Sequence, residues 1–238
     1  MSIDILLALL AVFAGAVIQG SVGFGFSLTA VPTLALVRPE ALPVTVLCLA
    51  IPMTGFMALN ERREINLPAF AWITGGRVPG TVVGAALLAV VPDNSLARFL
   101  GIFIIAAVAT SFIGPSFNPT RIAQLSGGVA SGVMSTAAAL GGPPLALVNQ
   151  RSSGPKLRST LALSFLAGIL MSLTVLMITG HVAGWHLFLA LKLLPAMILG
   201  LMSSRFIAGL LDERLLRPAV LGFAAVSGLF VLVLGSVG

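Results

Sequence analysis

Two stretches of the sequence share one unusual pattern: Gly15–Pro32 reads GAVIQGSVGFGFSLTAVP, and Gly127–Pro144 reads GGVASGVMSTAAALGGPP. Three positions align at one separation of 112 residues (144 − 32 = 112): Gly15 with Gly127, Gly20 with Gly132, and Pro32 with Pro144. Each stretch is apolar but is interrupted by glycines and small hydroxyl side chains. Unwound backbone at membrane depth is tolerated where it lines a cavity, so paired interruptions of this kind are typical of binding sites in secondary transporters.

The composition is that of a membrane protein. The chain has 238 residues, of which 58% are hydrophobic and only 8% charged, and its mean hydropathy is +1.12. These values predict a polytopic protein whose main partner is the lipid bilayer. The net charge is +6, but most of the 13 Lys and Arg are spread over short loops and are not gathered on one face. Nucleic acid is therefore not an expected partner, and the excess charge is expected to set topology.

The sequence predicts ten apolar helical segments in two related halves. They are expected at roughly 3–19, 22–37, 41–59, 67–91, 95–114, 121–135, 138–150, 157–180, 185–211 and 214–237. Further matches between the halves keep their order: Pro79 and Gly84 with Pro195 and Gly200, and Asp93 and Arg98 with Asp212 and Arg217. We therefore expect one membrane domain made of two repeats, residues 1–120 and 121–238.

The course of the first segment of each repeat decides the topology. If each opening stretch forms a hairpin, eight basic residues lie on one side and two, Arg38 and Arg98, on the other. The eight are Arg62, Arg63, Arg121, Arg151, Lys156, Arg158, Arg214 and Arg217. If each stretch crosses once, the split is seven to three, so the charge rule hardly separates the two arrangements. Both arrangements place the termini outside and the 151–158 loop inside.

Length favours the hairpin, because residues 3–37 are too long for one crossing. Each repeat then crosses the membrane an odd number of times. We therefore expect an all-α polytopic membrane protein of two inverted repeats, each with a broken or hairpin first helix followed by three transmembrane helices.

The interruptions are the first candidate binding residues. Where a helix restarts, its N-terminus presents unsatisfied N–H groups and a partial positive charge, which together favour an anion. The candidates are Gln19, Ser21, Gly23, Phe24, Gly25 and Ser27 in the first stretch, and Ser135, Thr136, Gly141, Gly142 and Pro143 in the second. The alternative is close helix packing through small residues. Gln19 fits a capping role equally well.

Three cations lie inside apolar segments: Arg77, Lys192 and Arg205. A charge at the bilayer centre costs roughly 3 kcal/mol or more, so such residues usually face a cavity. Arg77 precedes Pro79 by two residues and Lys192 precedes Pro195 by three, so the pair is expected to balance a doubly charged or strongly polar anion. The alternative is that these side chains extend to the interface, and Arg205 lies nearest a helix end.

Acidic side chains are missing from the predicted membrane interior. All seven lie at predicted helix ends or in loops: Asp4, Glu40, Glu61, Glu64, Asp93, Asp212 and Glu213. No carboxylate is then placed to relay protons, bind Na⁺ or hold a metal. An intramembrane lipid-phosphate enzyme needs a nucleophile with an acid or base partner, so an enzyme is the weaker hypothesis. His181 and His186 share an outside loop without an acidic neighbour, and we expect neither metal nor cofactor.

The opening motifs resemble the sulfite exporter TauE/SafE family. The resemblance rests on GSVGFGFSLTAVP (residues 20–32), on Gly141-Gly142-Pro143, and on the two Pro-xxxx-Gly elements, and it spans almost the whole chain. One departure is Thr136–Leu140, where the family is richer in glycine, so the second break is expected to be less open. The family moves sulfite, sulfonates, sulfoacetate or related sulfur and carboxylate anions across the inner membrane.

The resemblance implies a multi-pass inner-membrane transporter of a small anion, with export of sulfite or an organosulfonate such as sulfoacetate as the expected activity. Import of a sulfur-containing or carboxylate anion stays open, as does a homodimer. A non-transporting assembly subunit is a further alternative, and the intramembrane cations argue against it.

Overall fold

A computed structural model describes residues 3–92, 95–112, 119–149, 154–207 and 213–234. Within these ranges the chain is all-helical and contains no β-strand. The helices are α1 (Ile3–Val22), α2 (Phe26–Val37), α3 (Val44–Asn60), α4 (Leu67–Ala89), α5 (Leu96–Phe112), α6 (Arg121–Ala138), α7 (Gly142–Val148), α8 (Gly154–Ile178), α9 (Gly184–Ile207) and α10 (Glu213–Leu234). They correspond one to one with the ten predicted segments.

The helices have the length and surface of membrane helices. Of the described helices, α1, α8 and α9 are long and apolar enough to cross a membrane. Large apolar side chains point outward, among them Val82, Leu199 and Phe230, each more than half exposed. Such a surface is suited to lipid tails and unsuited to water. The prediction of an all-α, polytopic membrane protein is confirmed.

The chain reverses direction at the first interruption. Gly23 and Gly25 adopt positive φ angles of 97° and 124°, which an L side chain rarely adopts. Gln19 Oε1 accepts a hydrogen bond from Phe26 N at 3.1 Å, and a Cβ added at Gly15 would lie 2.9 Å from Phe26 O. In a continuous helix residues 15 and 26 would be about 16 Å apart. The α2 helix therefore folds back along α1.

The chain also reverses direction at the second interruption, and the helix that follows it is shorter. Ala139 takes the left-handed conformation (φ 58°) after α6, and α7 has only 7 residues. Ser131 Oγ donates to Gly141 O at 2.7 Å across the turn. The two turns also meet, since a Cβ at Gly142 would stand 3.9 Å from Phe24 Cβ.

The bundle has two ends that differ in chemistry. At one, which we call the arginine end, Arg158 pairs with Glu61, and Arg205 Nη2 donates to Asn60 Oδ1 at 3.3 Å. At the other, the histidine end, His186 Nε2 lies 3.2 Å from Glu40 O. Because α3 and α9 each start near His186 and finish near Asn60 and Arg205, both helices run from the histidine end to the arginine end.

Glycines allow two helix pairs to pack at close range. In α4, a Cβ added at Gly80 would lie 3.1 Å from Gly132 Cα of α6. The second pair is α9 with α1. A Cβ added at Gly200 of α9 would lie 2.9 Å from Ala16 Cβ of α1, and a Cβ added at Gly20 of α1 would lie 2.7 Å from Ser204 Cβ of α9. Gly20 and Gly132 thus lie inside continuous helices, where they serve the small-residue packing that the sequence left as the alternative.

Candidate functional site

A cavity of about 30 Å³ lies where the two turns meet helices α3, α4 and α8. It is large enough for about two water molecules. The first turn contributes Gln19 and residues 25–28, and the second contributes Ser135, Ala139 and residues 141–143. The remaining wall consists of Val46, Leu47, Ala50 and Thr54 from α3, Arg77 from α4, and Phe165 and Ile169 from α8.

Arg77 is the central polar group of this cavity. Its side chain is fully buried at 0% exposure. Nη1 donates to Ser164 O at 3.1 Å, but Nε and Nη2 have no hydrogen-bond partner within the described structure. The Phe165 ring lies below the guanidinium, with its centroid 5.8 Å from Cζ. A buried donor without a partner costs about 1–3 kcal/mol, and more when it is charged, so this guanidinium is suited to an anion with two oxygens.

Gly168 makes room for that guanidinium. A Cβ added at this position in α8 would overlap Arg77 Cζ and Nε. Ser164, Phe165 and Gly168 therefore form one face of α8 that holds the arginine. The sequence analysis missed all three residues. Gly168 is one of 26 glycines, and no local pattern shows that it faces Arg77.

The first turn presents the start of α2 to the cavity. Gly25 is the N-cap and offers no side-chain hydrogen bond, while Phe26, Ser27 and Leu28 of the first helical turn line the wall. Gln19 is 5% exposed, caps Phe26 N and also lines the cavity. Its two suggested roles, capping and lining, thus coincide.

The structure gathers some of the predicted residues and separates others. The cavity brings together Arg77, Gln19, Gly25, Ser27, Ser135, Gly141, Gly142 and Pro143. Five predicted residues lie outside the cavity wall: Ser21, Gly23, Phe24, Thr136 and Lys192. Ser21 Oγ donates to Val17 O at 2.8 Å, and Thr136 Oγ1 lies 2.7 Å from Ser172 Oγ. Gly23 lies beside Arg158, and Phe24 lies at the contact between the turns. Arg151, Asp93 and Asp212 lie outside the described residues.

Lys192 faces away from the cavity. Its side chain is exposed on α9, and Nζ lies 4.4 Å from the centroid of the neighbouring Phe188 ring. Arg77 stands two residues before its proline, whereas Lys192 stands three before its own. One residue turns a helix by about 100°, so the shift points the two cations to different faces.

The described histidines and acidic residues lie at the bundle ends. In the described part of the chain, no group of three His, Cys, Asp or Glu side chains is placed to hold a metal. His186 Nδ1 lies 3.0 Å from Ala183 N and 3.1 Å from Ala183 O, within hydrogen-bonding distance of both. The polar groups that converge on the cavity are therefore donors and hydroxyls, which are suited to binding an oxyanion.

The sequence was compared with known proteins. A sequence model described as sulfite exporter TauE/SafE matches residues 7–231, nearly the whole chain. Comparison with curated proteins gives no match, and comparison with solved structures gives none either. The expected family is thus confirmed by a match that includes both turns and Arg77. The chain belongs to the sulfite exporter TauE/SafE family, a family of membrane transporters and not of enzymes.

Proposed function

We propose that this protein is a secondary transporter that moves a small oxyanion across the bacterial inner membrane, with export of sulfite or an organosulfonate as its activity. The observation that carries the proposal is the buried guanidinium of Arg77: this residue lines a cavity between two broken helices, and two of its donor nitrogens have no hydrogen-bond partner in the described structure. A planar guanidinium donates two parallel hydrogen bonds to an oxyanion, and the N-terminus of α2 adds partial positive charge.

The size of the cavity favours a small substrate. A volume of about 30 Å³ is room for about two water molecules, so even sulfite, with four non-hydrogen atoms, requires some widening. Sulfoacetate, which is longer, requires more. We therefore place sulfite ahead of sulfoacetate. The two turns that form the wall are also the elements whose separation would open the cavity.

We further propose that residues 1–120 and 121–238 are inverted repeats. The α1 helix runs beside α9 toward the arginine end, since Gly20 meets Ser204. The α6 helix starts at that end, where Arg121 Cζ lies 5.9 Å from the Trp72 ring centroid, and runs beside α4 toward the histidine end. The first helix of each half thus packs on the fourth helix of the other half, and the two hairpins enter from opposite ends.

Charge supports a cytoplasmic arginine end. Arg62, Arg63, Lys156 and Arg158 lie there, whereas Arg38 follows α2 at the histidine end. Basic residues are retained on the cytoplasmic side. With a negative interior, each net negative charge that leaves gains about 2.3 kcal/mol per 100 mV. No acidic residue lines the described cavity wall, so we propose uniport without a proton relay.

The test is flux in proteoliposomes that contain the purified protein, with empty liposomes as the control. Labelled sulfite, sulfoacetate, taurine and chloride are compared at equal pH on both sides. We expect sulfite efflux to exceed that of taurine, a zwitterion, and to accelerate as a potassium diffusion potential makes the interior negative. A sulfonate stays ionised and cannot carry the proton itself, so sulfoacetate flux that ignores the potential and follows an imposed pH gradient would contradict uniport. Efflux equal to that of empty liposomes would contradict the function.

A further inference from the structure

We infer that the site selects singly charged oxyanions, so that hydrogen sulfite is bound in preference to the sulfite dianion, and simple sulfonates in preference to sulfate. This inference rests on the proposed function and specifies the charge of its substrate. It follows from the number of cations that the fold brings to the cavity, which is one fewer than the sequence predicts.

Arg77 is the one charged residue among the described residues of the cavity wall. Lys192, the second cation expected there, is exposed on the outer face of α9 beside Phe188. Arg158 approaches the first turn at Gly23 but is paired with Glu61. Arg205 bonds to Asn60 at the arginine end. Among the described residues, a single positive charge is therefore available at the cavity to balance the substrate.

The rest of the wall makes a second negative charge unfavourable. Val46, Leu47, Ala50, Phe165 and Ile169 are all buried and apolar. A charge in such surroundings is stable only when it is paired, because neither water nor a counter-ion solvates it. The start of α2 adds a partial positive charge, and Ser27 and Ser135 place hydroxyl groups on the wall, but none of these supplies a full charge. A monoanion is neutralised here, and a dianion is left with one charge uncompensated.

Methanesulfonate and sulfate provide a matched pair of probes. Both are tetrahedral, both present oxygens to the guanidinium, and a methyl group in one replaces a charged oxygen in the other. Each is used to displace labelled sulfite from the purified protein in lipid nanodiscs at one fixed pH. We expect methanesulfonate to displace sulfite at a concentration about tenfold lower than sulfate requires. Arg77→Lys, which keeps the charge but loses the planar fork, should bind more weakly and keep the same order of preference.

The outcomes separate this inference from the proposed function. If sulfate displaces sulfite as well as methanesulfonate does, and Arg77→Gln abolishes both, the anion site stands and the selection for one charge is wrong. If Arg77→Gln leaves displacement by both probes unchanged, the site itself is misplaced. The comparison of methanesulfonate with sulfate uses the unaltered protein, so the test of charge selection does not depend on the folding of a variant.

The charge moved per anion gives a second readout. In proteoliposomes of equal internal and external pH, a tenfold sulfite gradient is balanced by about 59 mV if one charge moves and about 30 mV if two charges move. We expect the larger potential. A reversal potential near the smaller value would overturn the inference while leaving sulfite transport intact.

Discussion

The guanidinium of Arg77 is fixed by a single turn of α8. Ser164 supplies the one carbonyl that it bonds, Phe165 supplies the ring beneath it, and Gly168 supplies the space. Two of its donor nitrogens stay unpaired as a result. An unpaired buried charge is a cost to stability, and such costs are commonly found where they serve binding.

Replacing Gly168 with Ala should therefore weaken binding without touching any group that contacts the anion. The new methyl group would overlap the guanidinium, which must then move. Overpacking of this kind costs about 1–3 kcal/mol, so we expect sulfite affinity to fall by roughly tenfold or more. The measurement is equilibrium binding in nanodiscs, with Gly55→Ala as the control, since no described atom lies within 4 Å of a Cβ added there. Equal affinity in the two variants would show that Gly168 does not position Arg77.

Removing the charge of Lys192 should have no effect on the site. Because its Nζ lies over Phe188 on the exposed face of α9, we expect Lys192→Gln to change sulfite affinity by less than about twofold. The check is a titration of this variant beside the unaltered protein. A large loss of affinity would mean that Lys192 reaches the anion in another conformation of the transporter.

The sequence did not predict which way each helix is turned about its axis, and this limited the prediction of the binding residues. The two turns and Arg77 could be identified from residue type alone. Glycines, hydroxyl residues and cations are unfavourable in an apolar membrane segment, so their presence there indicates a special structural or binding role. Which side of a helix a residue faces depends on packing. Thr136 and Ser135 are neighbours, yet Ser135 lines the cavity and Thr136 bonds to Ser172 on another face. Gly168 carried no local signal.

Among the elements, the α4 and α6 pair depends most strictly on glycine. A Cβ at Gly76 would lie 3.0 Å from the backbone nitrogen of Val129, and backbone cannot yield as a flexible side chain does. Gly75 in the same helix faces away, with Leu125 Cδ1 at 4.0 Å as the nearest described atom. Gly76 directly precedes Arg77, so this close approach fixes the backbone next to the residue that lines the cavity.

Gly76→Ala and Gly75→Ala form a matched test of this packing. We expect Gly76→Ala to destabilise the protein by about 1–3 kcal/mol, because the added methyl group separates α4 from α6. Gly75→Ala should be neutral or slightly stabilising, since alanine favours helix by roughly 1 kcal/mol. Thermal unfolding in detergent compares them. Equal melting temperatures would contradict the close contact.

The sequence predicted the ten helices well, but it predicted the two turns after α1 and α6 only in part. Apolar runs defined all ten helices to within a few residues, because a membrane helix is specified by composition and length. The two turns have the same length, with three residues between α1 and α2 and three between α6 and α7, but α7 has 7 residues where α2 has 12. The length of α7 was not predicted, because the apolar run of residues 138–150 does not mark where the helix starts and ends within it.

At the scale of the whole molecule, the two ends of the bundle should face different compartments. Single cysteines at Asn60 and Ala183, in a Cys48→Ala background, mark the arginine and histidine ends. In intact cells treated with a membrane-impermeant maleimide, we expect labelling at position 183 and protection at position 60, because basic residues concentrate beside Asn60. Membrane vesicles opened with detergent provide the control for reactivity. The reverse pattern of labelling would contradict the proposed orientation.

Our central claim is that Arg77 binds the transported oxyanion between the two hairpins. The most direct measurement is sulfite binding and thermal unfolding of Arg77→Gln, side by side with Arg121→Gln, an exposed arginine at the start of α6. We expect Arg77→Gln to lose about 2–5 kcal/mol of binding free energy while its melting temperature is equal or higher, since an unpaired buried charge is removed. Arg121→Gln should bind normally. Normal sulfite affinity in a folded Arg77→Gln protein would contradict the claim.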